Sequence, residues 1–100
     1  MYMRVVHLHI YPEKIEEAAT MFRTSLLPAV RQLPGYQQAY LAVDRTTGKG
    51  VGITVWATQA DLEANEASGF FREQLNPLRP LFVNPPEREF FEVVGHEQGE

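Results

Sequence analysis

The stretch Lys49–Asp61, KGVGITVWATQAD, decides the fold because an apolar strand in it passes directly into a helix start. Its residues alternate with a period of two, which predicts a β-strand with two different faces. One row is aliphatic and the other is mixed: Val51, Ile53 and Val55 against Gly52, Thr54 and Trp56. The mixed row suits a pocket wall better than the underside of a helix. We therefore expect the aliphatic row beneath the helices and the Trp56 ring facing an open space.

Periodicity also predicts the elements on either side of this stretch. Further strands are predicted at Arg4–Ile10, Tyr36–Asp44 and Glu89–Val94, with a β-hairpin joining the second strand to the Trp56 strand. Helices are predicted from Pro12 to Leu33 with a kink at Pro28, from the Thr58 cap to Ser68, and from Phe70 to Leu75. The stretch Asn76–Pro86 holds four prolines and should be an irregular connector.

The order of these elements predicts the fold class. Strand, helix, strand, strand, helix, strand is the order of an α+β, ferredoxin-like βαββαβ antiparallel sheet with both helices on one face. We expect one domain over residues 1–95 and a disordered tail over residues 96–100.

Composition excludes several classes of function. The chain has 100 residues, which suits one domain, and its formal charge of −4 argues against nucleic-acid binding. No cysteine is present, so disulfides, thiolate nucleophiles and cysteine metal sites are excluded. No apolar run is long enough to span a bilayer or form a signal core, so we expect a soluble cytoplasmic protein without a membrane partner.

The sheet face without helices is too apolar to meet water. The candidates for this face are Val5, Tyr40, Trp56, Phe90 and Val94. Covering a few hundred Å² of apolar surface is worth several kcal/mol at roughly 25 cal/mol per Å². A second copy of the sheet is the simplest cover, so we expect a homodimer that encloses a lumen between two sheets.

Three segments resemble the antibiotic biosynthesis monooxygenase (ABM) domain family of the dimeric α+β barrel superfamily. They are LPAVRQLPGY at Leu27–Tyr36, ITVWATQADLEA at Ile53–Ala64 and SGFFREQLNPL at Ser68–Leu78, and the resemblance spans roughly Met3 to Val94. It implies a homodimer with a pocket in each subunit between the sheet and the helices. It also implies oxygen chemistry without flavin, metal or other cofactor, on small aromatic substrates of the phenol or quinol type. An electron-rich substrate anion would supply the electrons and the protein a dry cavity.

The resemblance has one matching residue and two departures. Trp56 matches the family's tryptophan at the strand end, whose ring lines the pocket. Gly52 stands where some family monooxygenases carry an asparagine that donates to the substrate oxygen. The heme-degrading branch has an iron-ligating histidine on the second helix, and Phe70–Leu75 contains none, which disfavours heme degradation.

Nine residues are candidates for the site. The catalytic candidates are His7, Trp56 and Tyr40, and the substrate-binding candidates are His9, Gln38, Thr54, Phe70, Phe71 and Glu92. Several of these also have a purely structural interpretation: Trp56 as a core or interface anchor, Tyr40 and Gln38 as a solvated hairpin edge, and one of the two phenylalanines as core instead of a pocket lid.

The histidine pair leaves several roles open. His7 and His9 project from one strand face, so either could act in the lumen as a base or hydrogen-bond donor, or lie at a dimer seam. With Glu92 as a third ligand they could hold a divalent metal, but no clustered carboxylates accompany the pair, so we predict no metal site.

Two functions and one rival class follow from the sequence. The first is a cofactor-independent monooxygenase, and the alternative is a non-catalytic dimer that binds or senses a small molecule. The octamer Lys49–Trp56 also resembles the third strand of RNA-recognition motifs. Val51 and Ile53 occupy the positions of the base-stacking aromatics, and the expected strand register is opposite, so nucleic-acid binding is disfavoured.

Overall fold

The computed structural model describes residues 1–98 and contains one antiparallel sheet. Its strands are β1 (Tyr2–His9), β2 (Tyr36–Val43), β3 (Lys49–Trp56) and β4 (Glu87–Glu92), in the spatial order β2-β3-β1-β4. β2 and β3 form the predicted hairpin. The ferredoxin-like prediction is therefore confirmed. Gly99 and Glu100 of the predicted tail lie outside the described residues.

The first helical region changes its winding ahead of a proline. A 3-10 turn at Pro12–Lys14 leads into α1 (Ile15–Met21), a π-helical turn at Phe22–Leu26 and α2 (Leu27–Val30). Pro28 has no backbone N–H to donate, and its ring crowds the carbonyl of the preceding turn. The wider π turn accommodates both effects, so the predicted irregularity is present as a local unwinding.

The second helical region follows its predicted boundaries. Thr58 caps α3 (Gln59–Ser68), because its hydroxyl accepts a hydrogen bond from the Asp61 backbone N–H at 3.1 Å. Gly69, at φ 80°, ends this helix in the left-handed region, and α4 (Phe70–Leu75) follows. A 3-10 helix over Asn76–Leu81 then leads back to the sheet.

The register of β3 reverses the predicted orientation of its two rows. Val51, Ile53 and Val55 pair with His7, Val5 and Met3 of β1, whereas Gly52, Thr54 and Trp56 pair with Val6, Arg4 and Tyr2. Paired residues of antiparallel strands project from the same face. Because Arg4 and Val6 are buried on the helix side, Thr54 and Trp56 also lie beneath the helices. The prediction that the indole faces a lumen between two sheets is therefore wrong.

The reversal arises because both rows of β3 carry apolar side chains, so hydrophobicity alone does not identify the row that the helices cover. Two core clusters lie between the sheet and the helices: one contains Ile10, Ile15, Ala18, Leu75, Leu81 and Phe82, the other Val30, Trp56 and Leu62. The indole fills the second cluster and is fully buried. The aliphatic row of β3 instead lies on the face without helices, where it leaves an apolar surface.

Two other residues predicted for the uncovered face lie elsewhere. Phe90 pairs with Arg4 and so projects to the helix side at the sheet edge, and Val94 follows the end of β4. Val5 and Tyr40 do lie on the uncovered face, because they both pair with Ile53. Across residues 1–98, no helix is both long and apolar enough to cross a membrane.

Candidate functional site

An apolar cavity lies between the sheet and the helices. The space available to the centres of water molecules inside it is about 70 Å³. Its floor comes from β1, β2 and β3, and its walls come from the helical regions and the 3-10 helix Asn76–Leu81. The side chains include Val6, Leu8, Leu41, Phe22, Leu26, Phe71 and Leu75. Gly52 lies in the floor, where an added Cβ would be 3.7 Å from Leu8 Cδ1. The absence of a side chain at Gly52 therefore keeps part of this space open.

Arg4 and Thr54 are the polar side chains that β1 and β3 place on the cavity side. Both line the cavity, both are buried, and they are directly paired across the two strands. Tyr40 also borders the cavity, but its register with Ile53 directs its ring to the other face of the sheet, where its hydroxyl donates to Gln38. Arg4 and Thr54 therefore define the polar end of an otherwise apolar space.

Arg4 belongs to a cluster of charged and aromatic side chains. Its Nη1 donates to Asn65 Oδ1 at 2.7 Å and to Glu66 Oε1 at 2.8 Å. The second oxygen of Glu66 accepts from Arg88 of β4 at 2.6 Å. The Cζ atoms of Arg4 and Arg88 lie 4.5 and 4.7 Å from the centroid of the Phe71 ring, which is close enough for cation–π attraction.

Burial acts on the charge of Arg4. Removal from water lowers the pKa of the Arg4 guanidinium from its ordinary value, while the bond to Glu66 opposes this change. An arginine starts from so high a pKa that it stays protonated at neutral pH. The cavity therefore has a permanent cation at one end.

Trp56 acts on the cavity through Thr54. Its Nε1 donates to Thr54 Oγ1 at 3.0 Å, and its ring meets the Tyr36 ring edge-on, with centroids 6.2 Å apart. Trp56 itself does not line the cavity. The indole is thus a core anchor that also orients a cavity hydroxyl.

Four of the predicted site residues lie on the face without helices. These are His7, His9, Gln38 and Tyr40. Nε2 of His7 is 2.6 Å from Glu89 Oε1, and Nε2 of His9 is 3.1 Å from the Thr47 carbonyl oxygen. His7, His9 and Gln38 do not line the cavity, and Tyr40 borders it with its ring directed to the other face.

The other predicted residues lie on the helix side of the sheet. Phe71 lines the cavity, whereas Phe70 packs against the Trp56 cluster. Glu92 pairs with Tyr2, so it projects to the face opposite His7 and cannot join the histidine pair. Within residues 1–98, no group of three His, Cys, Asp or Glu side chains is arranged to hold a metal ion.

Sequence reasoning missed Arg4, which has the most distinctive environment in the site. The available signal was its position: Arg4 continues the alternation of Val6, Leu8 and Ile10, so it occupies a buried position of β1. A charged residue at a buried position is rare unless it is paired. That conflict could have identified it.

The register removes one argument against RNA binding and leaves another. Val51 and Ile53 occupy the uncovered face, as the corresponding positions do in RNA-recognition motifs, so the register argument is wrong. Both positions are nevertheless aliphatic, and base stacking there requires aromatic rings.

Comparison with models of protein families identifies the family of this chain. The model of the family described as "Antibiotic biosynthesis monooxygenase" matches residues 1–74. The chain belongs to this ABM family. No curated protein matches the ABM chain.

Solved structures resemble the ABM chain over nearly its whole length. One antibiotic biosynthesis monooxygenase is 23% identical, with a TM-score of 0.72 and coverage of 95% of this chain and 100% of its own. A monooxygenase from the gene ActVA-Orf6 of Streptomyces coelicolor, in complex with Nanaomycin D, is 19% identical, with a TM-score of 0.73 and coverage of 99% and 92%. The protein of unknown function NE2512 from Nitrosomonas europaea is 16% identical, with a TM-score of 0.76 and coverage of 99% and 94%. At these identities the likeness shows the fold.

Proposed function

We propose that this ABM protein is a cofactor-independent monooxygenase that oxidises a small aromatic substrate of the phenol or quinol type. The cavity between sheet and helices carries the proposal, because it is apolar, lies under the helices and has a cation at one end. Such a space can hold an aromatic ring away from water. Family membership and the ligand-bound Streptomyces relative support the same assignment.

The oxidation of a phenol to a quinone balances without a further reductant. The ring C–H opposite the hydroxyl becomes a C=O with one atom of dioxygen, and the second oxygen atom leaves as water with the phenolic and ring hydrogens. The substrate loses four electrons and dioxygen accepts four. The chain contributes by binding and orienting the ring, excluding water and stabilising the negative charge that makes the ring electron-rich.

We also propose that the protein acts as a homodimer through the face without helices. The accessible apolar side chains of this face are Met3, Val5, Val51, Ile53 and Phe91, and Val55 of the same row is already buried. They adjoin one another across three strands, and contiguous apolar patches of this kind are typical of protein interfaces. A two-fold pair would bring His7 and Tyr40 of each chain into the interface.

Dioxygen uptake tests the proposed activity. Phenols and polyphenols with a hydrogen on the ring carbon opposite a hydroxyl are incubated with the protein in an oxygen-electrode cell, and the product is analysed after reaction under ¹⁸O₂. We expect uptake above the rate of autoxidation, with one ¹⁸O atom in each quinone formed. Uptake equal to autoxidation for every substrate contradicts the proposal.

One observation favours a non-catalytic binder as the second candidate. Among residues 1–98, the cavity side chains include no carboxylate and no histidine, and Gly52 offers no side-chain donor where some family monooxygenases carry an asparagine. Tight binding of an aromatic compound without any uptake would support this alternative.

A further inference from the structure

The Arg4 cluster contains two buried hydrogen-bond donors without acceptors. Among residues 1–98, Arg4 Nε and Asn65 Nδ2 have no hydrogen-bond partner although both atoms are inaccessible to water. Nearly all buried polar groups in proteins are hydrogen-bonded, because an unsatisfied donor destabilises the fold. Arg4 is 3% exposed and lines the cavity, so an acceptor bound there would satisfy Nε.

The same cluster has an excess of positive charge. Arg4 and Arg88 share the single carboxylate of Glu66, and the ion pairs of residues 1–98 include no other acidic partner for either guanidinium. The three groups carry a formal sum of one positive charge. An anionic acceptor next to Arg4 would therefore be favoured over a neutral one.

Thr54 supplies a second donor on the same side. Its oxygen accepts from the Trp56 indole, and no acceptor for its hydroxyl hydrogen is found among residues 1–98. The pairing of Thr54 with Arg4 sets their Cβ atoms about 5 Å apart. The two side chains therefore start from neighbouring positions on the cavity side of the sheet.

The size of the cavity limits the ligand. At about 10–15 Å³ per water centre, 70 Å³ accommodates about five to seven waters, which corresponds to roughly 150–210 Å³ of liquid. That is the room of one substituted aromatic ring. We propose that Arg4 and Thr54 bind the ionised oxygen of a single-ring aromatic ligand, a phenolate or a carboxylate, in the cavity that the proposed function uses.

Binding of 4-nitrophenol tests this proposal without turnover. The titration is done anaerobically at several pH values, and the visible absorbance of the phenolate reports the ionisation of the bound molecule. We expect the bound phenol to have a lower pKa than free 4-nitrophenol, because the protein binds its anion more tightly. The neutral analogue 4-nitroanisole should bind more weakly than the phenolate.

Arg88 provides a matched control for Arg4. Both guanidinium groups contact Glu66 and Phe71, but Arg88 does not line the cavity. Arg4→Met should weaken binding of 4-nitrophenolate about ten- to hundredfold, the range for hydrogen bonds to charged groups, and should abolish the pKa shift of the bound phenol. Arg88→Met should keep that shift. Equal effects of the two variants would overturn the proposal.

A second variant keeps the test decisive if Arg4→Met does not fold. Thr54→Val should weaken binding of 4-nitrophenolate more than binding of 4-nitroanisole. Thr54→Ser should still bind the phenolate more tightly than the anisole. Competition by benzoate shows whether a carboxylate is also accepted. Wild-type protein that binds phenolate and anisole equally contradicts the inference. If the protein binds both compounds equally but still takes up oxygen, this inference is wrong and the proposed activity stands. If it prefers the phenolate but takes up no oxygen, the inference stands and the proposed activity is wrong.

Discussion

The indole Nε1 of Trp56 donates a hydrogen bond to the hydroxyl of Thr54, 3.0 Å away, and both side chains are buried beneath the helices. Trp56 is fully enclosed in the core cluster with Val30 and Leu62, whereas Thr54 lines the adjoining cavity. The bond therefore links the hydrophobic core to the polar end of the cavity. It makes Trp56 a positioning residue for Thr54.

Thr54→Val should lower the free energy of unfolding by about 1–3 kcal/mol, because it leaves the buried indole N–H without an acceptor. Thr54→Ser retains the oxygen and should lose less. Urea unfolding followed by far-ultraviolet circular dichroism measures the variants, because Trp56 is the only tryptophan of the sequence and its replacement removes the fluorescence signal. In a double-mutant cycle with Trp56→Phe, a coupling energy of zero would show that the bond contributes nothing to stability.

Gly52→Leu should fill the cavity and abolish binding of 4-nitrophenolate. The new side chain starts beside Leu8 and Val6 and extends into the open space, so the fold has room for it. Gly52→Ala adds only a Cβ at ordinary contact distance and should keep most of the binding. Titration of both variants with 4-nitrophenolate measures their affinities. An unchanged affinity in Gly52→Leu would show that the ligand binds outside this cavity.

Glu66→Gln should reduce the free energy of unfolding by about 1–3 kcal/mol, because two guanidinium groups lose their shared carboxylate. The expected loss is below that of a fully buried pair, since the Glu66 side chain is 22% exposed. The exposed residue Glu63 on the same helix gives the control Glu63→Gln, which should change stability by less than about 0.5 kcal/mol. Urea unfolding measures the free energy of unfolding of both variants. Similar losses in the two would show that the bonds of Glu66 to Arg4 and Arg88 do not stabilise the fold.

Ile53→Glu should convert the proposed homodimer to a monomer. It places a charge in the middle of the apolar face without helices, where a partner sheet would bury it. Ala67→Glu, at an exposed position of α3, is the matched control and should remain dimeric. Sedimentation velocity measures the mass of each variant. Wild-type protein that sediments as a monomer of 11.4 kDa at all concentrations contradicts the homodimer.

His7→Ala should leave binding of 4-nitrophenolate unchanged, because His7 lies on the opposite face of the sheet from the cavity. Its exposed pair with Glu89 should contribute less than about 1 kcal/mol to folding. Calorimetric titration and urea unfolding check the two expectations. A large loss of affinity in a folded, dimeric His7→Ala protein would indicate that the ligand binds at the interface between two sheets instead of in the cavity.

The elements could be predicted from the sequence because their signals are local. The Thr58 cap, the Gly69 helix end and the alternation in each strand depend on neighbouring residues, and all appear in the structure. The orientation of β3 could not be obtained in the same way. It depends on which face of the sheet the helices cover, and this is set by the neighbouring strands. The aliphatic row of β3 has the composition of a core face, but it lies on the face without helices.

The site was predicted less well for a related reason. The sequence placed Thr54 and Phe71 among the binding candidates, and both line the cavity. Arg4 was missed because its partners, Asn65 and Glu66, are more than sixty residues away in the chain. Contacts at such separation are set by tertiary packing and leave no spacing pattern to read.

The π-helical turn at Phe22–Leu26 also determines how this helix responds to the loss of a residue. Phe22 and Leu26, at the two ends of the turn, both line the cavity. Deleting one residue within the turn would allow regular α-helical winding, because a π turn holds about one residue more than an α-helical turn. The spacing between the side chains at its two ends would then change, so the deletion would alter this wall of the cavity and leave the strands as they are.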